Sequence, residues 1–144
     1  MNYRFPEVAE LIDVCWLEIN GKLSTEELSR NTLYGIYLVF NLTSEAYGMD
    51  FDESVEVSCG IMGGAAASET QTVILDRRRS SSSSSGVGNE PKVRRDRWLE
   101  IKMGEYFSLN GEDDGGDLVM SLKEVERLNW KTGLIVEGIE IRPQ

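Results

Sequence analysis

The chain of 144 residues contains no histidine and only two cysteines, Cys15 and Cys59. Histidine is the side chain that most often transfers protons near neutral pH, and the sequence also lacks a nucleophile elbow and a phosphate-binding glycine loop. We therefore predict that the protein is not an enzyme. The two cysteines are far apart and form no CxxC pair, which excludes a disulfide framework and a zinc site. No metal or other cofactor is expected.

Long apolar runs are also absent. No stretch of 18 or more apolar residues occurs, so we expect no membrane-spanning segment and no membrane partner. The first residues lack the apolar core of a signal peptide. On these grounds the expected location is cytoplasmic, nuclear or both.

Charge is spread unevenly along the chain. Seven of the 15 Lys and Arg residues lie between Arg77 and Arg97, and the rest of the chain has 8 basic and 23 acidic residues. An acidic body repels nucleic acid, so no nucleic-acid partner is expected. The same segment carries a serine run and has nothing to bury, which predicts a disordered basic and serine-rich insert at about 77–97.

Short segments with alternating apolar and polar residues make up most of the remaining chain, and almost none has a helical period. This pattern predicts an all-β protein, an antiparallel two-sheet sandwich. Long loops and a late inner strand favour a Greek-key or jelly-roll order over a meander. The predicted strands are 14–19, 33–42, 54–60, 71–75, 97–107, 118–122 and 133–142.

Three local predictions accompany this fold. Residues 5–14 fit a short helical turn or lead-in, and Asn20-Gly21 is a typical turn pair. In the last strand, simple alternation places Ile135, Ile139 and Ile141 on one face. Cys59 is expected to face the core as a small apolar side chain.

Tryptophans next to polar residues are the best candidates for a binding site. A sugar ring presents C–H groups flanked by hydroxyls, so it is bound by an exposed aromatic face beside hydrogen-bonding groups. Trp98 with Glu100, and Trp130 with Lys131, supply such pairs more convincingly than Trp16 with Glu18. Burial of each tryptophan in the core is the competing interpretation. The candidate carbohydrate contacts are Trp98, Glu100, Trp130, Lys131 and Glu112.

Glu112 belongs to an acidic loop that runs to Asp117 between glycines. Carboxylates of this kind can hold calcium, but the loop lacks the alternating ligands and the closing glutamate of an EF-hand. We interpret it as a solvated acidic turn without a metal.

Four blocks of sequence carry a family resemblance: Glu7–Lys22, Thr32–Phe40, Trp98–Phe107 and Trp130–Pro143. In this order along the chain, they resemble the plant phloem protein 2 domain, also called the Nictaba-type lectin domain. The resemblance covers nearly the whole chain apart from the serine insert, so residues 1–144 are expected to form one such domain. It implies a jelly-roll sandwich that binds N-acetylglucosamine oligomers, N-glycan cores or glycoproteins without metal.

The resemblance also implies an alternative function. Many members of the family join this domain to an F-box, which recruits ubiquitin-ligase components. The domain would then select substrates as a protein-interaction module without sugar binding, in a longer form of the protein. Members of the family have further strands before the position of Phe5, so the expected sandwich is one that misses N-terminal strands. A missing strand would expose a sheet edge and favour association, including a homodimer.

Overall fold

The computed structural model describes residues 9, 10, 12, 17–48, 55–61, 69–75, 91–108, 116–124 and 131–144. These residues form β-strands joined by turns, with a short 3-10 turn at Thr25–Glu27. Among them, no helix is long and apolar enough to cross a membrane. The strands are β1 (Ala9–Glu10), β2 (Leu17–Ser24), β3 (Thr32–Tyr47), β4 (Val55–Ile61), β5 (Glu69–Val73), β6 (Lys92–Val93), β7 (Leu99–Ser108), β8 (Asp117–Glu124) and β9 (Thr132–Pro143).

The strands pair in two antiparallel sheets. The five-stranded sheet has the order β1-β9-β3-β7-β6, and the four-stranded sheet has the order β2-β8-β4-β5. Early strands lie beside late ones: β1 pairs with β9, β2 with β8 and β3 with β7. A long two-stranded ribbon rolled into two sheets has this order, which is that of a jelly roll. The predicted all-β sandwich is confirmed.

The core lies between the two sheets and is filled by the alternating side chains that the sequence pattern points inward. Ile36, Leu38 and Phe40 of β3 face Val57 of β4 and Leu122 of β8 within one apolar cluster. Burying each such side chain contributes roughly 1.5–3 kcal/mol. This cluster holds the two sheets together and leaves their outer faces for binding.

Cys59 of β4 is buried, as predicted. Its Sγ occupies the space that a side chain on Gly104 of β7 would need. The glycine is therefore required where the thiol of one sheet reaches the backbone of the other. Cys15 lies outside the described residues.

The turn predicted at Asn20-Gly21 is wrong, because β2 runs straight through both residues to Ser24. A Cβ on Gly21 would lie 2.7 Å from Ile139 Cδ1 and 2.9 Å from Met120 Sδ. The glycine is there to let the two sheets approach each other, not to reverse the chain. The chain turns after Ser24, whose hydroxyl accepts a hydrogen bond from Glu26 N at 3.3 Å.

The alternation predicted for β9 is also wrong beyond Val136. Phe40 pairs with Val136 while the preceding Val39 pairs with Gly138, so Glu137 is an extra residue in a β-bulge. The bulge reverses the alternation, and Val136 packs against the core together with Ile139 and Ile141. Ile135 is not part of that cluster. A simple period of two cannot reveal such a bulge.

Two other predictions need correction. Ala9–Glu10 is a short strand paired with β9, where a helical turn or lead-in was predicted. The predicted insert at 77–97 is too long, because Lys92–Val93 pairs with β7 and the chain that follows makes an ordered turn. Residues 76–90 lie outside the described part of the chain.

Candidate binding site

The hairpin between β6 and β7 presents a dense group of charged side chains. Its turn is closed by hydrogen bonds from Arg94 N to Trp98 O at 2.7 Å and from Arg97 N to Arg94 O at 3.1 Å. Asp96 Oδ1 accepts a further bond from Trp98 N at 3.1 Å. Arg97 completes the turn at a φ of 70°. These contacts fix the positions from which the arginines extend.

Ion pairs connect this turn to β9 across the outer face of the five-stranded sheet. Arg94 Nη1 donates to Glu140 Oε2 at 3.2 Å, and Arg94 Nε lies 3.4 Å from Asp96 Oδ1. The other oxygen of Glu140 accepts from Arg142 Nη1 at 3.1 Å. Arg142 Nη2 lies 2.8 Å from Glu100 Oε2. We call these five residues the charge chain: Asp96, Arg94, Glu140, Arg142 and Glu100.

Arg142 is the most constrained member of the charge chain. Its guanidinium lies 3.8 Å from the centre of the Tyr37 ring, as in a cation–π contact. Tyr37 is itself oriented by a hydrogen bond from its hydroxyl to Gln144 Oε1 at 2.9 Å. Burial acts to lower the pKa of Arg142, but its contacts with Glu140 and Glu100 outweigh burial and raise the pKa. Arg142 therefore stays charged at any physiological pH.

A cavity of about 430 Å³ lies beside the charge chain. It is lined by Val93, Arg94, Arg95, Asp96, Glu100 and Arg142. The lining offers guanidinium donors and carboxylate acceptors side by side. It can therefore hold a polar ligand or a charged side chain through several hydrogen bonds.

One of the predicted contacts, Glu100, is part of this site, and its neighbour Trp98 is buried. Trp98 and Glu100 are two residues apart in the sequence of the hairpin, and Glu100 lines the cavity. Trp98, however, is only 2% exposed. Its ring offers no open face for a sugar in this structure. The backbone N and O of Trp98 take part in the hydrogen bonds that close the turn.

Among the described residues, a third predicted contact, Lys131, is not part of this cavity. Lys131 is fully buried and forms an ion pair with Glu124, which is equally inaccessible. A buried lysine cannot donate to a ligand unless the pair is broken. Trp130 and Glu112 lie outside the described residues, so their contact with sugar stays a prediction.

Sequence reasoning missed the cations that define the cavity, Arg94, Arg95 and Arg142. Arg94 and Arg95 were counted with the disordered insert, although Asp96 and Trp98 beside them are typical of an ordered turn. Glu140 and Arg142 share one side of β9 by alternation, and that pattern was the available signal for a charged outer face. Within the described residues, no group of three or more His, Cys, Asp and Glu side chains is arranged to hold a metal ion.

Comparison with known proteins agrees with this architecture. The family model described as Phloem protein 2 matches residues 1–143. Similar curated proteins include the F-box protein PP2-B10 of Arabidopsis thaliana, which is 39% identical over 142 residues, covering 97% of this chain and 50% of that protein. The F-box protein PP2-B13 of the same plant is 37% identical over 160 residues, covering 97% of this chain and 55% of that protein.

A third relative, the F-box protein VBF of Arabidopsis thaliana, is 36% identical over 160 residues, covering 98% of this chain and 56% of that protein. The chain thus spans about half the length of the curated relatives it matches. The resemblance found in the sequence is confirmed by a match that extends over essentially all of its residues. This chain belongs to the phloem protein 2 family.

Proposed function

We propose that this domain is the substrate-recognition module of an F-box-type ubiquitin-ligase subunit and that it binds a protein. One observation carries the proposal: the three relatives described above are F-box proteins, and each is about twice as long as the region that this chain matches. In such a protein the F-box would recruit the ligase, and the sandwich would hold the substrate. On this proposal the chain carries out no catalytic step, and the protein is located in the cytoplasm, the nucleus or both.

The outer face of the five-stranded sheet supports protein binding. It combines a fixed arginine and tyrosine, Arg142 stacked on Tyr37, with the exposed apolar side chain of Phe107. Arginine and aromatic residues are enriched in protein interfaces, where they supply most of the binding energy. The buried positions of Trp98 and Lys131 favour this interpretation over sugar stacking.

The proposal is tested with the complete transcript that encodes this chain. We expect it to encode an F-box in the same reading frame. The full-length protein should co-precipitate a Skp-type adaptor and a set of substrates, and deletion of residues 1–144 should remove the substrates while the adaptor is retained. Substrates that persist after the deletion, or a transcript without an F-box, would refute the proposal.

A second candidate is metal-independent binding of N-acetylglucosamine oligomers or N-glycan cores. The observation that favours it is the position of Glu100, a predicted sugar contact, in the wall of the 430 Å³ cavity beside Arg94 and Arg142. Charged side chains of this kind hydrogen-bond to sugar hydroxyls. Among the described residues the cavity has no exposed tryptophan face of the kind that a sugar ring needs, since Trp98 is buried, so we rank this function second.

A glycan array and titration calorimetry with chitooligosaccharides distinguish the two functions. If sugar binding occurs in the cavity, Glu100→Gln should weaken it at least tenfold, because one strong acceptor is lost. Glu26→Gln, a matched change in the exposed 3-10 turn, should not. A folded domain that binds no glycan, yet still retains its protein partners in the presence of N-acetylglucosamine oligomers, leaves only the protein-binding function.

A further inference from the structure

The hairpin at Lys92–Arg97 concentrates positive charge, since four of its six residues are Lys or Arg. Lys92, Arg95 and Arg97 are exposed. Within the part of the chain that the structure describes, no carboxylate forms an ion pair with any of them. The whole chain has a formal net charge of −10. Three exposed cations that form no ion pair with another described residue therefore lie on one hairpin, where an external anion can reach them.

The same hairpin places hydrogen-bond donors in the lining of the cavity. Arg94 engages Asp96 and Glu140 through Nε and Nη1, which leaves the two N–H groups of its Nη2. Arg95 also lines the cavity and is exposed. Because the turn is closed by backbone hydrogen bonds, an entering carboxylate would meet donors that are already positioned.

An apolar anchor lies next to these donors. Val93 is 75% exposed and belongs to β6, the edge strand of the five-stranded sheet. Lysine at a sheet edge commonly prevents unwanted pairing, which accounts for Lys92. It does not account for an exposed valine and an exposed arginine, Arg95, in the lining of a cavity of about 430 Å³. A ligand that is both acidic and partly apolar matches all of these features.

We propose that the hairpin cavity docks an acidic segment of a protein partner. An aspartate or glutamate carboxylate accepts hydrogen bonds from Arg94 and Arg95, and an apolar neighbour in the segment packs on Val93. This inference rests on the proposed function, since it names the class of protein segment that the recognition module takes.

The test uses the purified chain and fluorescently labelled 12-residue peptides, with binding followed by fluorescence anisotropy. One peptide alternates Glu and Asp with Val and Leu. A second replaces every acid by Gln or Asn, and a third carries phosphoserine in place of the acids. A single-stranded oligonucleotide of equal charge serves as the polyanion control. We expect binding of the first peptide alone, and weaker binding as the salt concentration rises.

Two double variants locate the site. Arg95→Gln with Arg97→Gly removes two hairpin charges and should weaken binding of the acidic peptide by about three- to tenfold. Lys22→Gln with Lys123→Gln removes two exposed charges from the four-stranded sheet and should change binding by less than about twofold. Val93→Ala tests the apolar contact and should weaken binding without changing its salt dependence. Circular dichroism melts show whether each variant is folded.

Several outcomes would overturn the inference. Equal binding of the Gln/Asn peptide would show that the site does not require acidic side chains in its ligand. Preference for the phosphoserine peptide or the oligonucleotide would identify another class of ligand. Equal losses in the two double variants exclude the hairpin as the site. If the full-length hairpin variant still co-precipitates every substrate of the unaltered protein, this inference fails while the proposed function stands; if the unaltered protein recovers no substrate, the proposed function fails.

Discussion

Two sets of charged side chains in this sandwich have opposite surroundings. Glu124 and Lys131 form an ion pair in the interior, with side chains 2% and 0% exposed. The charge chain on the outer face of the five-stranded sheet has side chains from 13% to 44% exposed. In the interior each charge depends on partners within the protein because water cannot replace them. At the surface, water and salt ions also stabilise each charge, so a single ion pair contributes little to the stability of the fold.

This difference assigns different roles to two residues that looked alike in the sequence. Lys131 and Glu100 were both predicted to contact sugar. Lys131 immediately precedes β9 of one sheet and pairs with Glu124 at the end of β8 in the other, so it joins the two sheets. Glu100 lines an open cavity. Of the two, Glu100 keeps a partly exposed side chain, 13%, in the cavity wall, whereas the side chain of Lys131 has no exposed surface.

The largest predicted effect is the loss of Lys131. Lys131→Met leaves Glu124 buried without a cation and should lower the free energy of unfolding by about 3–5 kcal/mol. Adding Glu124→Leu should restore most of that loss, since both charges are then replaced by apolar groups. Urea unfolding of the two variants measures the difference. A loss below about 1 kcal/mol in the single variant would mean that the pair is accessible to water, like the surface chain.

A second buried acid gives the opposite expectation. Glu137, the bulge residue of β9, is 6% exposed, and neither of its carboxylate oxygens has a hydrogen-bond partner among the described residues. An unpaired buried polar group costs about 1–3 kcal/mol, so Glu137→Leu should raise the free energy of unfolding by that amount. Thermal unfolding with Glu26→Leu as an exposed control checks it. Destabilisation would show that the carboxylate is compensated in solution.

A substitution in the charge chain should lower the free energy of unfolding by less, and the loss should depend on the salt concentration. Arg142→Met removes the cation that both Glu100 and Glu140 contact, and we expect a loss of about 1 kcal/mol or less at low salt. At 1 M salt, where the Debye length is about 3 Å, most of that loss should disappear. The loss in Lys131→Met should not depend on salt. Equal salt dependence of both variants would contradict the assignment of one pair to the interior and the other to the surface.

The sequence predicted the strands well because alternation and turn residues are local signals. In β3, β4 and β7, the side chains that the alternation predicts to face inward are the ones that lie in the core. What it could not predict depends on contacts between distant strands. The bulge at Glu137 follows from the pairing of β9 with β3, and the glycine at position 21 follows from the distance between the sheets.

The site was predictable only in part for the same reason. Glu100 was found because it neighbours a tryptophan in sequence, whereas Arg142 reaches the cavity from another strand, and Lys131 is buried by strands far from it in sequence. Arg94 and Arg95 were hidden by their composition, which resembles that of a disordered segment. Ordered and disordered basic segments differ in the contacts that close the turn, and composition does not record these contacts.

The smallest predicted effect concerns Arg97 of the hairpin, and it distinguishes the contribution of its backbone conformation to stability from that of its charge. Arg97 has a φ of 70°, which is unfavourable for a side chain by roughly 1 kcal/mol, while glycine accepts it freely. Glycine also gains about 0.5–1 kcal/mol of conformational freedom in the unfolded chain. Because the guanidinium of Arg97 has no ion pair among the described residues, its loss adds almost nothing, and Arg97→Gly should change stability by less than about 0.5 kcal/mol in either direction. Asn31→Gly, at a φ of 51° that asparagine tolerates, is the matched control. A loss above about 1 kcal/mol in Arg97→Gly alone would mean that this exposed arginine, like Lys131 in the interior, already has a partner within the fold.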